Sequence, residues 1–440
     1  MTHAHHITHH ITLGRAGLTG LLLAGIAGAA SGATAGDDAL LTVDGLPSLG
    51  TFGRHIDMST QAIVVGASID FPQLDPASAF AFRDVAGAWT PYELVRETNI
   101  PDEAFGSAVA IDDDHIVIGA PARTGTTVDG AAYTFVWDKA STSFVPGDRL
   151  TAPTPDARFG SRVAIDDVFA WVLGEDRIVV WQHDGVSWTI DAVIDAPATP
   201  AGAVFGVDIA GAGDCLVVAG ASASHVYERD DDDWSLVRTF MHGPDAEPTA
   251  VRTDGTTIVF GGTPAQVSHR GDTGWSSLTI LGANGPSVDV DGDRLVVGRP
   301  ATNDVVLFVR DGSMSWVSDH VVAPAVVGAA ASAGEAVSLH GDRLAIGAPL
   351  ASIAGPTTGA VFVTCLDGVD DCPADCAPMV NGVSIGNGIV NVDDLFAVLL
   401  RVGSSSAACD IAPPGGDGIV DLNDVMVVLD AIGSLCGASS

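Results

Sequence analysis

The sequence predicts an all-β fold, a seven-bladed β-propeller of four-stranded blades, followed by a small α-helical domain with two loop-helix repeats. Three observations carry that expectation. Degraded copies of one hairpin recur at blade-like spacing, a second pair of strand-like runs follows each copy, and the composition changes abruptly near residue 367. The clearest copy is Phe105 to Pro121, FGSAVAIDDDHIVIGAP. Apolar and polar side chains alternate through Val109, Ala110 and Ile111, the period of a strand. Asp112, Asp113 and Asp114 interrupt the run, and His115 to Ile118 resume it with β-branched residues. Gly119-Ala120-Pro121 ends the hairpin, because proline lacks the N–H that a continuing ladder needs.

The copies align on their last glycine. Phe52-Gly53, Phe105-Gly106, Phe159-Gly160 and Phe205-Gly206 open four of them. Three more, at 251–262, 288–300 and 337–349, keep the register with Glu247, Asn284 and Ala333 in the Phe slot. The slots then fall at 52, 105, 159, 205, 247, 284 and 333, with intervals between 37 and 54 residues. A repeat at that scale outranks element-by-element fold assignment. After each hairpin come runs such as AAYTFVWD at 131–138, RIVVWQHDGVSW at 177–188 and VVLFVRDGSMSW at 305–316. Asp184-Gly185 and Asp311-Gly312 are favoured hairpin turns. A tryptophan recurs in the last strand at 89, 188, 234, 275 and 316, where a large ring fills the widening space between blades. The seventh copy ends after its third strand, GAVFVTC at 359–365, so ALLTVDGL at 39–46 is expected to supply the fourth and close the ring.

These copies resemble the FG-GAP repeats of integrin-type β-propellers, in the bacterial pattern FG…VAID…IVVGAP…GAAYVF…W, over roughly residues 40 to 366. The resemblance implies adhesion or another binding role, with a protein or glycan on the propeller face.

The chain is read in three parts: a secretory signal peptide at 1–35, the propeller at 36–366 and the helical domain at 367–440. The leader reading rests on Arg15, the apolar run Leu18 to Ala30 and the A-x-A site Ala33-Thr34-Ala35. It implies a secreted or cell-surface protein, and it assigns the histidines at 3, 5, 6, 9 and 10 to a segment removed on export rather than to a metal site. No other apolar stretch reaches the ~20 residues of a membrane helix. Nearly all of the 55 acidic residues are Asp, Lys139 is the single lysine, and the formal net charge is −36. That sign argues against nucleic acid and anionic membranes, and it suits solubility in salt.

Of six cysteines, Cys215 and Cys365 fall in predicted strands, as buried packing. Cys372, Cys376, Cys409 and Cys436 cluster in the last segment of an exported chain. Disulfides of open pairing are expected there, with zinc as the competing use of Cys372 and Cys376.

Beyond the composition shift stand GNGIVNVDDLFAVLLRVG at 386–403 and GDGIVDLNDVMVVLDAIG at 416–433. Leu395, Val398, Leu399 and Val402 form one apolar stripe, and Val425, Val428, Leu429 and Ile432 the other. This segment resembles dockerin-type domains, whose duplicated calcium loops look like EF-hands with only the exiting helix. The resemblance implies Ca2+ as cofactor, and a cohesin-like partner through which the module attaches. In the second loop the metal ligands would be Asp417, the Ile419 carbonyl, Asp421 and Asp424, with Gly418 at the sharp turn. Pro413 occupies the strict first position, so Asp410 serves only if 412–415 bulge. In the first loop they would be Asn387, the Ile389 carbonyl, Asn391 and Asp394, with Asn381 in place of Val383 and Ile385 at the start. The competing reading is a pair of Asx turns capping two helices.

Asp289-Val290-Asp291-Gly292-Asp293 looks like a calcium loop but falls in register on a hairpin turn, Asp230 to Asp233 reads as a solvated tip, and Arg270-Gly271-Asp272 sits in another turn. No G-x-S-x-G, H-E-x-x-H or phosphate loop appears, so no catalytic residue is assigned. The sequence reading is thus an exported, non-catalytic binding and scaffold protein with an attachment module. The alternative is an extracellular polysaccharide-active enzyme carried by that module.

Overall fold

In a computed structural model of the chain, the described residues are 39–43, 46, 51–67, 78–85, 88–96, 100, 102–197, 205–310, 315–324, 331–353, 357–366, 379–380, 383–384, 395, 398–399, 402 and 420–431. Seven antiparallel sheets form the propeller. Blade 1 runs His55–Met58, Ala62–Ala67, Ser78–Val85 and Ala88–Glu93. Blade 2 runs Ala108–Asp112, His115–Ala120, Ala131–Asp138 and Ser143–Leu150. Blades 3, 4 and 6 repeat the order from Arg162–Ile165, Asp208–Ala212 and Ser287–Asp291. Blade 5 begins at Ala250–Thr253, and its outer strand is split into Gly274–Trp275 and Thr279–Ile280. The first strands touch one another in cyclic order around the axis, the seventh against the first.

Blade 7 closes the ring as expected. Ala336–His340, Arg343–Ala348 and Ala360–Cys365 take their fourth strand from the N-terminal side, where Ala39 pairs with Val363 and Leu41 with Val361. Leu41 is fully buried against both blades 7 and 1.

The Phe-Gly and Gly-Ala-Pro signatures meet each other across blade boundaries. Gly53, Gly106, Gly160, Gly206 and Gly334 hold φ between +81° and +91°, where glycine alone is unstrained. A Cβ on Gly106 would collide with the Ser78 carbonyl at the start of blade 1's third strand, and one on Gly66 would strike the Gly106 carbonyl. Gly119 stands in the same way against Gly160, and Gly347 against Gly53. Each preceding phenylalanine is buried: Phe105 packs edge-on to Tyr133 and Phe135, and Phe52 to Phe80 and Phe82. Burial of one such ring contributes about 2 kcal/mol.

The outer-strand tryptophans bind the blade before them. Trp234 Nε1 donates to Asp191 (3.0 Å), Trp275 Nε1 to Glu228 (2.9 Å) and Trp316 Nε1 to His269 (3.1 Å). The turns between first and second strands, and between third and fourth, all lie at the end opposite the Phe-Gly turns, since strands alternate in direction. Gly292 does occupy a hairpin turn, with Asp291 paired to Arg294, while Asp289 lies within the strand before it. Arg270 pairs with Glu228 at 2.8 Å.

The expected α-helical dockerin-like domain is not found. The described residues past 366 contain a two-stranded ribbon, Met379–Val380 with Val383–Ser384, helical backbone at Leu395, Val398 and Leu399, and a ten-residue helix, Leu422–Ala431. Val383, where the first calcium loop was to begin, is paired in that ribbon with Val380. A helix of that length is marginal by itself. The predicted leader and Cys372, Cys376, Cys409 and Cys436 lie outside the described residues. Cys215 is a buried free thiol, and Cys365 is partly buried. Among the described residues no helix is long and apolar enough to cross a membrane.

Candidate functional site

A cavity of about 270 Å³ opens on the axis at the Phe-Gly end. Three residues past each Phe slot, at the start of each first strand, stand His55, Ala108, Arg162, Asp208, Ala250, Ser287 and Ala336, and all seven line the cavity. Alternation along these strands explains their chemistry. One row of side chains, such as Ile56, Val109 and Val163, turns into the apolar layers between blades. The other row crowds the axis, and its small members leave room for the guanidinium groups of its large ones.

Arg54, Arg162 and Arg252 converge on this mouth with two carboxylates, Asp208 and Glu335. Asp208 is held between Arg252 Nη1 (2.9 Å) and Arg162 Nε (3.4 Å), and it also accepts from the Val251 N–H at 3.0 Å. Arg162 and Arg252 each donate a further bond to a backbone carbonyl, of Ser161 and Val251. Arg54 stands 3.9 Å from Glu335, a loose pairing between half-exposed groups. Burial, aided by Arg162, Arg54 and Arg252, pushes the His55 imidazole down to about 3, so it is neutral at ordinary pH. Burial alone would lower the Arg252 value, but Asp208, Asp289 and Asp57 overcome it and hold the guanidinium charged.

One layer deeper, Asp57 and Asp289 belong to the same axial row as Arg252. Each reaches over the edge of the next blade's first strand. Asp57 accepts from the Ile111 N–H (2.8 Å) and Asp289 from the Leu339 N–H (2.7 Å), as Asp208 does from Val251. These bonds satisfy innermost strand edges that no further strand covers. Burial raises both carboxyls. Asp289 reaches about 7 despite Arg252 and its two backbone N–H donors. At the far end of the axis, burial and then repulsion from Asp167, Asp113 and Asp166 push Asp112 up to about 6.

Of the residues predicted to bind calcium, Asp421 alone has its side chain among the described residues. Asp410, Asp417, Ile419, Asn381, Asn387, Ile389, Asn391 and Asp394 lie outside the described residues, and of Asp424 only the helical backbone is described. Asp421 is a helix cap. Its Oδ1 accepts from the Asn423 N–H (2.6 Å), and its carbonyl accepts from Val425 N. Among the described residues no group of three or more acidic, His or Cys side chains is placed to hold a metal. The Ca2+ assignment therefore falls, and with it the EF-hand-like module and the cohesin-like partner. Sequence reading also missed the axial mouth. Its signal was available in the register, which puts two of only 19 basic residues, Arg162 and Arg252, into axial positions.

Residues 101–135, in blade 2, match the FG-GAP repeat family, and the match does not extend to 367–440. No curated protein matches the chain. Among solved structures, a chain of a mitotic checkpoint complex is similar with a TM-score of 0.48 at 11% identity, over 71% of this chain and 89% of that one. A putative 6-phosphogluconolactonase from Bacteroides fragilis gives 0.45 at 12%, over 67% and 90%. The periplasmic gluconolactonase of Pseudomonas aeruginosa gives 0.41 at 9%, over 61% and 84%. Likenesses at this level carry nothing about function. The chain is, by its own structure, a seven-bladed propeller with an FG-GAP repeat in its second blade.

Proposed function

We propose that the axial mouth binds a small ligand through an oxyanion, a carboxylate or phosphate, held by Arg54, Arg162 and Arg252. The observation that carries this is the convergence of three guanidinium groups from three blades on one cavity with only two carboxylates, in a chain of net charge −36. Guanidinium presents a planar fork that matches carboxylate and phosphate oxygens. Asp208 fixes two of the forks before any ligand arrives, which lowers the ordering cost of binding. Calorimetric titration with sugar acids, dicarboxylates and sugar phosphates tests the reading. R162Q or R252Q should weaken binding by about 10- to 100-fold, since a hydrogen bond to a charged group is worth about 1.5–3 kcal/mol. Failure of every oxyanion to bind, or binding by both variants as tight as by wild type, would refute it.

A second reading, a polysaccharide-active enzyme, is favoured by Asp289. A carboxyl pushed up to about 7 beside the axis holds a proton near neutral pH, as a general acid must. Failure of the protein to turn over acidic oligosaccharides would remove that reading, and turnover that persists in D289N would remove Asp289 as its acid. Export is supported by the apolar run and A-x-A site before residue 36.

A further inference from the structure

A second cavity, of about 510 Å³, opens between blades 2 and 3 on the same end as the Phe-Gly turns. Its volume lies within the range of small-ligand sites. Behind it a wholly buried carboxylate, Glu103, is met by Arg96 (3.1 Å), by Arg149 (2.6 Å) and by the Tyr133 hydroxyl (2.6 Å). Two guanidinium groups thus meet on one carboxylate. Arg149 is fixed twice, through Nη2 to Glu103 and through Nε to the Tyr133 oxygen at 3.1 Å. Its side chain nevertheless stays one-third exposed and lines the cavity. Such a guanidinium has its plane set in advance and Nη1 left for a ligand.

The remaining walls are hydroxyls and flat apolar faces: Thr151 and Thr154 beside Pro153 and Pro155, with Asp129 at the exposed rim. Thr154 already accepts from Arg177 at 3.0 Å, which leaves its hydroxyl proton to be donated. We infer that this cleft binds a uronate, an acidic sugar whose carboxylate lies on Arg149, whose hydroxyls meet the threonines and Asp129, and whose C–H face lies on the prolines. A peptide would use the charge but leave the hydroxyl groups unpaired. The site is independent of the axial mouth.

The test is calorimetric titration of galacturonate and tri-galacturonate into an R162Q/R252Q background, which silences the mouth. Saturable binding is expected there. It should weaken at least 10-fold in added R149Q and several-fold in added T151V/T154V, with neutral galactose binding at least 10-fold more weakly than galacturonate. Because Arg149 also neutralises Glu103, R149Q is read only if its melting temperature is kept. The threonine pair, whose one charged contact is that of Thr154 with the partly exposed Arg177, carries the decision otherwise. No uronate binding up to ~10 mM, binding unchanged by T151V/T154V, galactose binding as tightly, or displacement of uronate by oligoglutamate at lower concentration would each overturn the inference.

Discussion

Alanine at Gly106 should destabilise the propeller far more than alanine at Gly125. The two share nearly the same backbone angle, φ of +86° and +88°. Alanine pays about 1–2 kcal/mol for that region at either site. They differ in surroundings: nothing lies within 4 Å of a Cβ at Gly125, whereas at Gly106 it would run into the Ser78 carbonyl of blade 1. Relief requires blades 1 and 2 to part by a fraction of an ångström, and forced repacking of this kind adds about 1–3 kcal/mol. The expected losses are therefore about 1–2 kcal/mol for G125A and about 2–5 kcal/mol for G106A. Since whole proteins hold only about 5–15 kcal/mol, the second is a large fraction. Urea unfolding followed by tryptophan fluorescence gives both from the midpoints, provided the slope is unchanged. Equal losses, within 0.5 kcal/mol, would refute the claim that Phe-Gly glycines are selected by inter-blade contact rather than by backbone angle.

Asp289 has its folded value raised above the unfolded one, so the folded state holds the extra proton and its contribution is lost as pH rises. The stability of wild type relative to D289N should fall by about 1.4 kcal/mol per pH unit between roughly pH 4 and 7 and level off above, as measured by urea titration across pH. A flat difference would contradict the burial argument. Leu41→Ala should cost about 2–5 kcal/mol because it empties a fully buried site in the closing strand, and a change below 1 kcal/mol in the same unfolding assay would mean that the ring does not depend on that strand. Burial pushes the Cys215 thiol up to about 12, so a thiol reagent at pH 8 should label it only after unfolding, with mass spectrometry of the tryptic peptide as readout.

The propeller was legible because its period and its punctuation come from local chemistry. Glycine at a fixed offset from phenylalanine, and a tryptophan in five of the seven last strands, mark positions where two blades touch. The closing strand could be anticipated from a missing one. The split outer strand of blade 5 could not, since Ser276 to Leu278 carry no breaker. The axial mouth was readable in principle, as the row that includes His55, Arg162, Asp208 and Arg252 follows from register and period, but its basic residues are few beside the many aspartates in turns. The C-terminal segment misled for a physical reason. Carboxylates and amides ahead of an amphipathic stripe are what a calcium loop needs and also what a helix cap needs, and Asp421 serves the second purpose.

Because the turns between first and second strands, and between third and fourth, lie at the end away from the mouth, and aspartate recurs in them, the molecule is polarised along its axis. Asp112 to Asp114, Asp166, Asp167, Asp230 to Asp233, Asp291 and Asp293 gather at that end. The guanidinium groups of Arg54, Arg162 and Arg252 lie at the other. In an external field, or near a polyanionic surface, such a body turns before it touches, presenting the arginine end and holding the aspartate end away. The bias acts over roughly a Debye length, about 8 Å at physiological salt and more in fresh water. Orientation in this propeller is therefore a by-product of turn chemistry, set by the same residues that let its strands reverse.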